Sequence, residues 1–178
     1  MKKIRRNQAI EMFARLEQME IGKFDEATLI ATMSNITALR KVKDDFENLK
    51  NELFKRLYGD INEMSDEARE ELQGFFQALS EMGRANKEDM LELDRDCKEK
   101  YPTLYDKRVK EMTVIMSLLN KDVDVKIELV DEESFLKGFV KGNEGATLVE
   151  TREVFAPLFV EKEVEETDLS ELDEFLEN

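Results

Sequence analysis

The sequence predicts a mainly α fold: an elongated helical bundle built on one long helix, with a small α/β C-terminal element and an acidic tail. Three observations carry this. Apolar residues recur at steps of three and four from Leu29 to Leu57, with no Gly or Pro between Asp25 and Tyr58; that is helical periodicity over about nine turns. Seven Gly and two Pro in 178 residues are too few for a turn-rich β protein. The period changes at 123–130, where Val123, Val125, Ile127 and Leu129 alternate with charged residues, the pattern of a half-buried strand.

Taken in order, residues 7–20 form a first helix with Ile10, Phe13, Leu16 and Met19 on its apolar side, and Gly22 ends it. Asp25 is the N-cap of the long helix and Gly59 its stop. The stripe Leu29, Met33, Ile36, Leu39, Val42, Phe46, Leu49, Leu53, Leu57 fits two arrangements. One is an intramolecular hairpin against the helix at 104–120; the other is an intermolecular coiled coil flanked by mixed charges. Ser65 caps a third helix with Ala68, Leu72, Phe75, Leu79 and Met82 on one side and Gly83 at its end. Asn86 caps a short helix containing Met90, Leu91 and Leu93, which Tyr101-Pro102 breaks. The helix from Leu104 to Asn120 presents Tyr105, Val109, Met112, Ile115 or Met116, and Leu119. The strand at 123–130 must pair with another segment of the chain or with the same strand of a second copy, because its backbone groups need partners. Asp131 caps a helix with Phe135, Leu136, Phe139 and Val140; 141–145 is a loop; 146–156 carries Leu148, Thr151, Arg152 and Phe155 at helical spacing, with a strand at 147–151 as the alternative. The expected organisation is a helical domain at 1–121, a strand-helix-helix element at 122–160 packed on it, and an acidic amphipathic tail at 161–178.

The composition narrows the chemistry. With no His, no Trp and one Cys, a His base, a His-ligated metal, an intramolecular disulfide and a Cys-based zinc site are all excluded. The net charge of −15 is unevenly spread. Residues 161–178 hold nine acids against Lys162, a net of −8, and the other 160 residues hold −7. Binding of that body to nucleic acid is disfavoured, since counterion release requires clustered Lys and Arg. The basic start, Lys2, Lys3, Arg5 and Arg6, lacks the apolar run of a secretory signal, and no stretch approaches the roughly 20 apolar residues of a membrane span. A cytoplasmic location and no membrane partner are expected.

No motif assembles a catalytic set. Asp60 to Asp66 with Glu71 echoes a calcium loop, but Met64 and Ser65 occupy places that need an oxygen ligand and a Gly; Ser65 is better read as a helix cap. Glu92, Asp94 and Asp96 are two apart and fan around a helix rather than converge. Gly138, Gly142 and Gly145 have no Gly-Lys-Ser/Thr after them and read as turn residues. Cys97 has no His to activate it. No catalytic residue, metal or cofactor is expected. The feature that points to a partner is the tail: Leu169, Leu172, Phe175 and Leu176 share one helical face among acids, as in a segment that folds onto a basic-rimmed groove. The groove belongs either to a partner or to this chain.

Asn7-Gln8-Ala9 after a basic start, then Asn35-Ile-Thr-Ala-Leu39 and Phe46-Glu-Asn-Leu-Lys-Asn-Glu-Leu53 running to Tyr58-Gly59, resembles a group of small phage-encoded helical proteins of unknown function. In that group a variable helical middle precedes a short strand, like Val123–Leu129 here, and a final pair of short helices, like 131–140 and 148–159. The resemblance covers the layout of residues 2–160 and not the tail. It implies a phage or prophage accessory, assembly or structural protein that works through protein contacts, in the host cytoplasm or the virion, and it supplies no catalytic residues. A homo-oligomer, most simply a dimer, is expected from the long apolar seam and the strand. The alternative function is an acidic inhibitor that occupies a nucleic-acid-binding groove on a host or defence protein.

Overall fold

The computed structural model describes residues 1–20, 23–143 and 147–160. The order of elements is β1 (Lys2–Arg5), α1 (Arg6–Glu17), α2 (Glu26–Tyr58), α3 (Asp66–Met82), α4 (Lys87–Lys100), α5 (Pro102–Leu119), β2 (Asp122–Val125), α6 (Glu132–Gly142) and α7 (Leu148–Phe155), with 3-10 turns at Ile61–Glu63 and Ala156–Leu158. The fold is mainly helical and built on α2, whose 33 residues span about 50 Å at 1.5 Å each.

Local chemistry sets the helix ends. Asp25 accepts from the Thr28 N–H at 3.0 Å and from the Thr28 hydroxyl at 2.7 Å. Gly59 ends α2 at φ 97°, a conformation that side-chain-bearing residues rarely adopt. Ser65, Asn86, Asp131 and Thr147 cap α3, α4, α6 and α7 in the same way as Asp25. Pro102 opens α5, where its missing N–H costs no hydrogen bond.

The strand finds its partner within the chain. β2 pairs antiparallel with β1, Ile4 opposite Val123 and Arg5 opposite Asp122, so the basic start is a strand and not an appendage. β2 is also shorter than the alternation suggests and ends at Val125. Three residues on, Asn35 of α2 occupies the backbone of Glu128: its Nδ2 donates to the Glu128 carbonyl and its Oδ1 accepts from the Glu128 N–H, both at 2.8 Å. The inward side then shifts. Val125 and Val130 are buried while Leu129 is exposed, and Val130 bridges to Phe159.

The main core joins the two ends of the described chain: Ile4, Met12, Phe13 and Leu16 meet Ile36 and Leu39 of α2, Val125, and Phe135, Phe139, Phe155, Leu158 and Phe159. Phe135 is its hub, with ring centroids 5.1–5.8 Å from those of Phe24, Phe139, Phe155 and Phe159. A smaller core around Phe75, Cys97 and Tyr101 holds α3, α4 and the start of α5. The glycines of α6 need correcting. Gly138 and Gly142 are helical, not turn residues. Gly138 is the place where the Phe24 ring lies against the helix, and a Cβ there would come within 2.4 Å of Phe24 Cδ1.

Candidate functional site

The predicted partner-binding residues Leu169, Leu172, Phe175 and Leu176 lie outside the described residues. Among the described residues the reactive side chains serve the fold. Glu111 is buried on α5; its Oε2 accepts from the Tyr58 hydroxyl at 3.0 Å and from Arg108 Nη1 at 2.7 Å, which ties α5 to the end of α2. Burial, followed by the charge of Glu111, pushes the Tyr58 phenol well above its ordinary range. The Cys97 thiol is buried and shifted upward by desolvation and by Asp94, the opposite of an activated nucleophile. Asp94 accepts from the Tyr105 hydroxyl at 2.7 Å. Asp60 caps a 3-10 turn and Ser65 caps α3. Among the described residues no three His, Cys, Asp or Glu side chains are placed to share a metal ion, and no described helix is long and apolar enough to cross a membrane.

What the structure does expose is an apolar stripe on α5. The helix carries two parallel stripes one residue apart. The inward one is Leu104, Arg108, Glu111, Ile115 and Leu118, half-buried or buried throughout. The other is Tyr105, Val109, Met112, Met116 and Leu119, stepping by 4, 3, 4 and 3, the heptad spacing of a coiled-coil seam; its middle three face outward, while Tyr105, packed on the smaller core, and Leu119 are half-buried. Val109 and Met116 are each 53% exposed and Met112 41%. The sequence spacing admits either Ile115 or Met116 and places Val109 and Met112 on the packed face. The structure turns Ile115 inward and Met116 outward, because the ion-paired Glu111 takes the inward place. The signal was present in the sequence as two competing stripes, but a stripe containing Arg and Glu reads as solvent-facing until its ions are seen to pair.

The long helix also departs from its expected stripe. Its first half buries Thr28, Thr32, Asn35, Ile36 and Leu39, while Ile30, Met33 and Leu49 are exposed. Two open grooves flank the sheet. The larger, about 630 Å³, lies between α2 and β2 and is lined by Ala38, Val42, Val123 and Val125 with Arg6, Lys41 and Lys126 among its charged groups. The smaller, about 420 Å³, is lined by Met1, Lys2, Ile127, Leu129 and Val160.

No protein-family model matches the chain, and neither a curated protein nor a solved structure shows significant similarity to it.

Proposed function

We propose that the chain is a non-enzymatic protein-binding protein, a phage accessory, assembly or structural factor that works as a homodimer and engages further proteins through its acidic tail. The observation that carries this reading is the outward stripe on α5. Val109, Met112 and Met116, at heptad spacing, face away from the chain's own cores between the half-buried Tyr105 and Leu119, and burying such a stripe against its equivalent in a second copy removes apolar surface from water at about 25 cal/mol per Å². The strand route to a dimer is no longer needed, since β1 occupies β2. A tail that packs a net −8 into 18 residues, joined to a body with −7 spread over 160, supports recognition of a basic-rimmed protein surface. That same charge is the ground for the acidic-inhibitor alternative, in which the surface is a nucleic-acid-binding groove.

Light scattering decides the dimer. The wild type is expected to show twice the 20.8 kDa chain mass at about 50 μM, and Val109→Asp with Met116→Asp to give folded monomers whose stability no longer depends on concentration. A monomeric wild type at that concentration overturns the proposal. Crosslinked pull-downs from native cells separate the two partner classes: assembly or virion proteins support the first reading, nucleases or polymerases the second.

A further inference from the structure

The two grooves beside the sheet meet at Met1, which lines both. The smaller one is lined by Val160 itself, the residue from which the acidic tail departs. That point is fixed: Val130 N–H donates to the Leu158 carbonyl at 2.8 Å and Val160 N–H donates to the Val130 carbonyl at 3.2 Å. Met1, Leu129 and Val160 are all more than half exposed there. The larger groove has an apolar floor of Ala38, Val42, Val123 and Val125, with Arg6, Lys41 and Lys126 against Asp45 and Asp124. It is thus locally positive on a chain of net charge −15. Its volume lies within the roughly 300–1,000 Å³ of binding pockets.

We infer that the tail of the same chain is the occupant: residues 161–167 leave along the smaller groove, and 168–176 seat Leu169, Leu172, Phe175 and Leu176 in the larger one as a helix. Three features select this occupant over another. The chain enters at the groove's edge, so no association cost of a separate molecule is incurred. Seven linking residues reach up to about 23 Å, and nine helical residues are about 13 Å long, which matches a groove running beside four residues of strand. The tail's −8 meets the positive lining. This goes beyond the binding role proposed above. The face that would recognise a partner is covered by the chain itself until a partner with a more basic groove displaces it, which makes the body an autoinhibitory cradle.

Paired cysteines in the full-length chain test the seat. Thr37 is exposed and lines the larger groove; Leu172 lies on the tail's apolar side and Glu174 on its opposite side. Cys97 stays in place because it is buried. Under mild oxidation in dilute solution, Thr37→Cys with Leu172→Cys should close a disulfide within one chain at least about tenfold faster than Thr37→Cys with Glu174→Cys, since an undirected tether presents both at the same effective concentration. Equal rates for the two pairs overturn the inference. So does a disulfide joining two chains, which would place the tail on a second copy. Lys41→Glu with Lys126→Glu exchanges exposed charges without touching the core, and should slow closure of the 37–172 pair severalfold; closure at the unchanged rate overturns the electrostatic match. The light-scattering result for the dimer is independent of all these outcomes.

Discussion

Asn35→Ala should be among the most costly polar substitutions in the chain. Asn35 is fully buried and supplies both backbone partners of Glu128, at 2.8 Å each. A typical intramolecular hydrogen bond contributes about 1 kcal/mol net, and a buried group left without a partner costs about 1–3 kcal/mol. Glu128 itself is exposed, so water can reach part of what Asn35 releases, which holds the penalty below the full value for two orphaned groups. Adding the hole left under the segment at 126–130, the expected loss is about 2–4 kcal/mol. At an m-value of about 2 kcal/mol per molar, the urea midpoint should fall by about 1–2 M. Asn35→Asp keeps the acceptor and loses the donor, so it should restore little at neutral pH. Amide exchange at Glu128 should lose its protection in Asn35→Ala and keep part of it in Asn35→Asp, whose carboxylate can still accept from that N–H. A midpoint shift below about 0.3 M for Asn35→Ala, or wild-type stability for Asn35→Asp, would refute the view that this side chain replaces a strand partner.

Two further expectations follow from the same geometry. Gly138→Ala would gain about 1 kcal/mol on helix propensity alone, but the new Cβ meets the Phe24 ring at 2.4 Å, so thermal unfolding should instead show a net loss of about 1–3 kcal/mol; a rise in Tm would contradict the close approach. The Thr28 backbone N–H, and after it the Thr28 hydroxyl, hold the Asp25 carboxyl below its ordinary value of 3.8. A carboxyl depressed by folding contributes stability above its unfolded pKa and loses it as pH falls through the folded one. Asp25→Asn, which preserves the cap, should match the wild type near neutrality and lose less stability below about pH 4; superimposable Tm profiles would exclude the linkage.

The helices were readable because caps and breakers act locally. Asp25, Gly59, Ser65, Asn86 and Asp131 each stand where the structure ends or starts an element. What was not readable depends on residues far apart in sequence. Nothing near Lys2–Arg5 indicates that 122–125 will pair with it. The alternation at 123–129 is a true strand signal that a single side chain from α2, 93 residues away, cuts short. Arg6 reads in sequence only as part of a basic start, yet its Nη1 donates to the Leu118 carbonyl at 2.8 Å and closes the end of α5. The candidate surface was half visible: the residues of the α5 stripe were named, but their direction depends on whether Arg108 and Glu111 pair inside.

That direction is the physical reason to expect a partner. Turning α5 by one residue, about 100°, would carry the exposed Val109, Met112 and Met116 inward in place of Arg108, Glu111 and Ile115, three apolar side chains for one. Area alone favours the turned helix. The observed orientation is held by polar contacts that specify position more than they add stability: Glu111 with Tyr58 and Arg108, Tyr105 with Asp94, and Arg6 with the Leu118 carbonyl. A buried ion pair seldom outweighs an apolar replacement of the same volume. A monomer optimised only for its own stability would therefore turn the helix or place polar residues at 109, 112 and 116. Keeping Val and two Met there is consistent with a surface that is covered in the working state of the protein. Methionine suits such a seam, because its flexible thioether adapts to the surface that covers it.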